Sequence, residues 1–316
     1  MGLFGSSGVS FTASKDLPSL AGKTILVTGG NAGLGKQSVH DLAKYGKPAK
    51  IFLAARSLQK AQSAIDEIKQ DVPDANIVSL QLDLTSFDSI NAAARTFLSQ
   101  SDSLDILMLN AGIMATPPGQ TKEGYEIQFG TNHMGHFLLT KLLLPVLRAT
   151  VARPDDKPAD VRIVVLSSAG IGLAPASGFD DSWVRTDGSA VSTLTRYGQS
   201  KLANALMARE LARRYPEITS IAVHPGTVNT GLADAFQDSG VLQNILLMVV
   251  RPFLATPEMG ARNQLWAAVS GDVKNGEYYM PVGAVGWGRG TANARDDELA
   301  RKVWEWTEGE LKGQEI

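Results

Sequence analysis

The feature that most constrains this chain is an alternation repeated along its length: short β-rich apolar runs separated by longer stretches of helical period. Thr24–Thr28 (TILVT), Lys50–Ala54 (KIFLA), Ile77–Leu82, Leu104–Leu109 (LDILML), Arg162–Leu166 (RIVVL) and Ser220–Val223 read as buried parallel strands. Lys36–Tyr45, Leu58–Gln70, Ser86–Gln100, Thr131–Arg148 and Leu202–Arg214 have the helical period. This order predicts an α/β fold, a single doubly wound parallel sheet of about seven strands with helices on both faces. No composition shift or Pro/Gly linker divides the 316 residues. One domain over 21–316 is therefore expected, after a flexible leader over 1–20. Val151–Asp160 and Gly170–Thr195 are rich in turn residues and read as loops.

Composition narrows the partners. The 30 basic and 32 acidic residues leave a net charge of -2. No excess positive field exists to attract nucleic acid or an anionic membrane. The chain has no cysteine, which removes disulfides and thiol catalysis. Its first twenty residues lack the basic start and apolar run of a secretory signal. Gly240–Val250, the longest apolar stretch outside the core pattern, falls short of the ~20 residues a bilayer span needs. The expectation is a soluble, cytoplasmic protein with no membrane span.

Where the first strand gives way to the first helix stands Thr28-Gly29-Gly30-Asn31-Ala32-Gly33-Leu34-Gly35. A pyrophosphate lying against this backbone leaves no room for a Cβ, and the opening helix turn aims free N–H groups at the anion. The turn therefore predicts a Rossmann-type dinucleotide site. NAD sites usually carry an acid about 20 residues further on. Here the second strand ends Ala54-Ala55-Arg56-Ser57. A guanidinium pairs with a 2′-phosphate that a carboxylate would repel, so Arg56 favours NADP(H) over NAD.

Of the six tyrosines, only Tyr197 has a lysine four residues on, Lys201. On a helix the two share a face. A free phenol has a pKa near 10, and acid–base work at neutral pH asks for a shift worth about 4 kcal/mol. One positive charge about 4 Å away, at an effective dielectric near 20, supplies a similar amount.

Taken together, these motifs resemble the short-chain dehydrogenase/reductase family over nearly the whole chain. The resemblance implies that Gly29, Asn31, Gly33, Leu34 and Gly35 bind the cofactor pyrophosphate and that Asp83-Leu84 form the adenine pocket. It implies that Asn110-Ala111-Gly112 brace the sheet and line the cofactor cleft. Pro225, Gly226, Val228 and Thr230, in His224–Thr230, match the loop that fixes the nicotinamide amide. Ser168 matches the residue that hydrogen-bonds the substrate oxygen, and Asn132 the helix residue that links a water to the lysine. Tyr197 and Lys201 then act both as catalytic residues and as cofactor contacts. No metal is expected, although His133 and His136 stand three apart; they read as helix surface or cleft wall.

Within the family, Asn132–Thr140 and Tyr197–Asn204 are worded most like the retinol-dehydrogenase and WW-domain-oxidoreductase branch, and the C-terminal tail like fungal members, some of which serve secondary metabolism. The implied activity is NADPH-dependent interconversion of a carbonyl and an alcohol on a small or medium apolar substrate. An NAD-dependent alcohol dehydrogenase and a non-catalytic NADP-binding redox sensor are the alternatives. Relatives often pair through the fourth and fifth helices as homodimers, while extended members can be monomers, and the sequence leaves both open. Ser168 and Tyr197 are 29 positions apart, a departure from the usual spacing. Gly170–Thr195 is therefore expected to fold as a loop over the substrate, with Asp180, Asp181 and Trp183 at its entrance. The apolar run Val241–Val250, within 229–254, is expected to form a lid.

Overall fold

Along Thr24–Thr28 (β1), Ile25 and Val27 join one buried apolar cluster and Leu26 joins another. Successive side chains of a strand point to opposite faces, so both faces of the sheet are covered. The computed structural model describes residues 8–153, 159–227, 255–286 and 288–315. After β1 come Lys50–Ala55 (β2), Ile77–Gln81 (β3), Ile106–Leu109 (β4), Arg162–Leu166 (β5), Thr219–Val223 (β6), Tyr278–Met280 (β7) and Ala284–Val285 (β8). The sheet order is β3-β2-β1-β4-β5-β6-β7-β8, all parallel except for the β7–β8 pair. The sheet thus has eight strands where the sequence suggested about seven. Strands β7 and β8 are too short for an alternation to be read along them.

The long helices are Gly33–Asp41 (α1), Leu58–Asp71 (α2), Phe87–Gln100 (α3), Gly135–Val151 (α4), Thr193–Arg214 (α5), Pro257–Val269 (α6) and Asp297–Glu310 (α7). Apolar residues of α1, α2 and α6 fill the cluster of Ile25 and Val27, and those of α3, α4, α5 and α7 fill the cluster of Leu26. The stretch Ile127–Val151 is long and apolar enough to cross a membrane, yet 67% of its apolar window is buried inside the molecule. It is the core helix of this fold.

Helix α5 begins at Thr193, earlier than the Leu202 read from periodicity. Ser192 caps it by accepting from Thr195 N–H at 3.1 Å. The early start puts Tyr197 and Lys201 on one helix. Its first turns carry Gly198, where a Cβ would stand 2.6 Å from the Ala174 nitrogen, so close packing overrides the weak helix propensity there. Ahead of α4 the helix is not continuous either: Gly130–Met134 form a π-helical turn that holds Asn132.

Two further expectations touch the described residues. Of the leader, residues 8–20 fall in the described part, and Phe11 and Leu20 are buried against the α1–α2 side of the sheet. The 170–195 segment is anchored in the core. Phe179, Trp183 and Val184 are buried in the main cluster, and Gln199 exchanges hydrogen bonds with the Asp180 backbone at 2.9 Å both ways. Trp183 is a core residue, not an entrance residue, because its ring gains more from apolar contact than from water. The proposed lid, Val241–Val250 within 229–254, lies outside the described residues.

Helix α7 lies on α4 and α5, with the Trp304 and Phe137 rings tilted against each other, centres 4.6 Å apart, and Lys141 paired with Glu308 at 2.9 Å. It thereby occupies part of the face through which the resemblance implied pairing.

One ion pair ties the segment before α4, the 170–195 segment and α5 together. Arg196 Nη1 donates to Glu126 Oε1 at 2.6 Å, with 2% and 0% of the side chains exposed. Arg196 also reaches the Thr116 and Val191 carbonyls, and Glu126 Oε2 accepts from Phe129 N–H. Removing one partner strands a buried charge. Arg196→Met is expected to cost about 3–5 kcal/mol in urea denaturation, and the double variant Arg196→Met/Glu126→Gln less. A loss below about 1 kcal/mol for the single variant would contradict this.

Candidate active site

Strand order reverses between β1 and β4, and in open α/β sheets ligands bind at the carboxyl ends of the strands at such a point. The glycine turn sits there. Gly29 has φ +66°, and a Cβ on it would meet Ala111 Cα at 3.0 Å. A Cβ on Gly35 would meet the Gly29 carbonyl oxygen at 2.3 Å, so α1 starts pressed against the turn. Ala32 precedes α1 and offers no side-chain acceptor to its first N–H groups. With Gly33 at the first turn and Asn31 and Leu34 half-buried beside it, the turn is a cradle of free donors that side chains would fill. Its geometry fits the pyrophosphate of a dinucleotide.

Arg56, exposed at the end of β2, shares a cavity of about 670 Å³ with Asp83 and Lys122. Asp83 Oδ1 accepts from Thr85 N–H at 3.0 Å and from the Thr85 hydroxyl at 2.7 Å, which fixes the carboxyl at the cavity wall. Leu84 is buried instead, packed where Gly135 begins α4.

The Asn110-Ala111-Gly112 segment is pinned to β1. Asn110 Nδ2 donates to the Thr28 carbonyl at 2.8 Å, and Ala111 N–H donates to the Thr28 hydroxyl at 3.0 Å. That hydroxyl in turn bonds His136 Nε2 at 2.9 Å, while His136 Nδ1 bonds the Asn132 carbonyl at 2.9 Å. A carbonyl only accepts, so Nδ1 carries the proton and Nε2 accepts from Thr28. Burial pushes the His136 pKa down to about 4, keeping the ring neutral. His136 was read from sequence as helix surface or cleft wall; it is fully buried and links β1 to α4. Its position four residues after Asn132, on one helix face, was the available signal. His133 is likewise fully buried.

Helix α5 and the end of β5 bring the remaining residues together. Tyr197 is buried, and a Cβ on Gly170 would stand 2.8 Å from its Cε1 and 3.3 Å from Ser168 Oγ. Ser168 Oγ accepts from Gly170 N–H at 3.0 Å, leaving its proton to donate. Lys201 Nζ lies 5.9 Å from the centre of the Tyr197 ring and donates to the Leu166 carbonyl at 3.0 Å. A Cβ on Gly112 would stand 3.2 Å from Lys201 Nζ and 3.3 Å from Asn132 Oδ1, so these groups converge on one point. Asn132 is fully engaged: Oδ1 accepts from Ile113 N–H, and Nδ2 donates to the Ile113 carbonyl and to Ser200 Oγ.

Burial raises the Tyr197 pKa, with Ser168 pulling it down in part, and lowers that of Lys201 to about 8. Both shifts disfavour charge. The protein by itself holds a protonated phenol beside an ammonium that is charged only below about pH 8. That is the resting state of a proton donor.

Pro225 and Gly226 follow β6, where Asn263 Nδ2 donates to the His224 carbonyl at 2.7 Å. Val228 and Thr230 lie outside the described residues. Sequence reasoning also missed Gln264, whose amide on α6 reaches Ser38 Oγ at 2.6 Å and Asn110 Oδ1 at 3.3 Å. No motif marks such a contact, since it joins elements remote in the chain.

The short chain dehydrogenase family model matches residues 23–179. A curated relative, the short-chain dehydrogenase/reductase drtF of Aspergillus calidoustus, is 39% identical over 95% of this chain and 97% of its own. Mouse retinol dehydrogenase 12 is 35% identical over 90% of this chain and 85% of its own. Among solved structures, an uncharacterised protein from Mycobacterium paratuberculosis is 30% identical, with TM-score 0.71 over 96% of this chain and 97% of that one. The NADPH-bound carbonyl reductase from chicken fatty liver has the same fold at TM-score 0.63 and 24% identity, over 89% and 100% of the two chains. With its glycine turn, its Tyr197–Lys201 helix and this span of similarity, the chain belongs to the short-chain dehydrogenase/reductase family of oxidoreductases.

Proposed function

We propose that this protein is an NADPH-dependent oxidoreductase that interconverts a carbonyl and an alcohol on a small or medium apolar molecule. The observation that carries the reading is the convergence of Tyr197, Lys201 and Ser168 at the carboxyl end of β5, beside a helix start with free donors. The cofactor, when bound, supplies the hydride for the carbonyl carbon. Tyr197 donates the proton to the carbonyl oxygen, and Ser168 donates a second hydrogen bond as charge grows there. Lys201 holds the nicotinamide ribose and favours the phenolate that proton donation leaves behind. Asn132 holds Ile113 and Ser200 around the lysine, and its role in carrying a replacement proton through water is part of this proposal.

The glycine turn, Asn110–Gly112, Pro225 and Gly226 line the cofactor path, with Val228 and Thr230 assigned to it from sequence alone. Arg56 is proposed to pair with the 2′-phosphate, with Lys122 beside it in the same cavity. The apolar character of the substrate is supported by the run Val241–Val250 after the Pro225–Gly226 turn, and by a relative named for retinol.

The reading is tested by following NADPH consumption over a panel of ketones, aldehydes and quinones. Tyr197→Phe is expected to lower kcat/KM by about 10²–10⁴-fold, and Arg56→Ala to erode the preference for NADPH over NADH. Activity that survives Tyr197→Phe, or an unchanged preference after Arg56→Ala, would contradict the corresponding assignment.

A pH dependence follows from Lys201. Its pKa is lowered to about 8, so the ammonium is present below that pH and is lost above it. NADPH binding to the free protein, measured by nucleotide fluorescence, should weaken as pH rises through about 8. Lys201→Met should bind more weakly at neutral pH and show no such step. A wild-type affinity that is flat across this range would refute the role.

A further inference from the structure

The Leu166 carbonyl, at the end of β5, is shared by two donors from α5. Lys201 Nζ reaches it at 3.0 Å and Asn204 Nδ2 at 3.1 Å. Asn204 stands three residues after Lys201, on the same side of the helix, and is fully buried. Among the described residues its Oδ1 has no hydrogen-bond partner, and neither has His133 Nδ1, although the two side chains lie against each other. On the far side of the ring, His133 Nε2 is 3.0 Å from Thr307 Oγ1 of α7.

The Thr307 hydroxyl donates its one proton to the Val303 carbonyl at 2.7 Å, so it accepts from His133 Nε2–H, and the unprotonated Nδ1 packs against the Asn204 amide. Burial holds the His133 pKa down at about 3, so the ring carries one proton and must choose a nitrogen. The His133 ring thus walls in the Asn204 amide, whose Nδ2 holds the same carbonyl as the lysine.

We propose that Asn204 is a positioning residue that fixes the Leu166 carbonyl beneath the Lys201 ammonium and so sets where the cation stands beside Tyr197. The assignment rests on the catalytic reading above. An ammonium buried without a carboxylate depends on a few fixed acceptors, and a carbonyl free to turn would hold it poorly. The titratable groups near Lys201 are Tyr197 on its own helix and His136 on α4; His136 is neutral across the working range.

The test uses Asn204→Leu, which keeps the volume and removes the amide. In the cofactor-free protein, nitrogen NMR of isotope-labelled lysine follows the Lys201 ammonium, identified by the signal lost in Lys201→Met. Loss of the fixed carbonyl should move its titration to lower pH by roughly one unit. With NADPH, kcat should fall about ten-fold or more, as a displaced group near the chemistry does. If Asn204→Leu only lowers Tm, with titration and kcat as in the wild type, Asn204 is a packing residue and the proposal is overturned. If Asn204→Leu does not fold, Asn204→Ala replaces it. The same downward movement is expected there, and an unmoved titration overturns the proposal. Activity retained by Tyr197→Phe would instead defeat the catalytic reading, while the lysine titration still decides the role of Asn204.

Discussion

An ammonium with 4% of its residue surface exposed, held by a backbone carbonyl and with no carboxylate beside it among the described residues, is an expensive thing to fold around. Lys201 is held in this way, and much of the surrounding structure can be understood as meeting that demand. The end of β5 presents the carbonyl, Gly112 leaves the space for Nζ, and α5 begins early enough to carry the phenol one turn before the cation. The depressed pKa expresses the same cost: the site holds its charge reluctantly and gains from any anion or polar oxygen that comes to share it.

The glycine turn, which we propose receives a phosphate against its backbone, is mechanically joined to this site. Thr28 ends β1, accepts from Ala111, is bonded through its carbonyl by Asn110, and hands its own proton to His136. His136 bonds the Asn132 carbonyl, and Asn132 bonds Ser200, the residue before Lys201. A continuous line of buried hydrogen bonds thus runs from the glycine turn to α5. Such networks are stable only when nearly every member is satisfied, which makes them rigid.

The alternating pattern and the strand-end motifs were enough to place β1 to β6, the glycine turn and the Tyr197–Lys201 pair, because local periodicity and turn chemistry carry that information. What escaped was set by tertiary contact. The start of α5 depends on the Ser192 cap and on packing at Gly198, neither of which leaves a hydrophobic period. His136 looked like a polar helix residue until Thr28 was found at its other nitrogen. The 170–195 segment reads as a loop because its turn residues outnumber its apolar ones, yet Phe179, Trp183 and Val184 anchor it in the core while most of its other residues stay exposed or half-buried. The two short strands at the sheet edge carry too few residues to show any pattern.

The central claim is that a cation one helical turn away makes the Tyr197 hydroxyl labile once the cofactor completes the site. Ultraviolet difference titration of the NADP⁺ complex, with the Tyr197→Phe spectrum subtracted, measures this directly. The account predicts that Tyr197 ionises above the ordinary tyrosine range in the free protein and below pH ~10 in the complex. A midpoint that does not fall when NADP⁺ binds would contradict it.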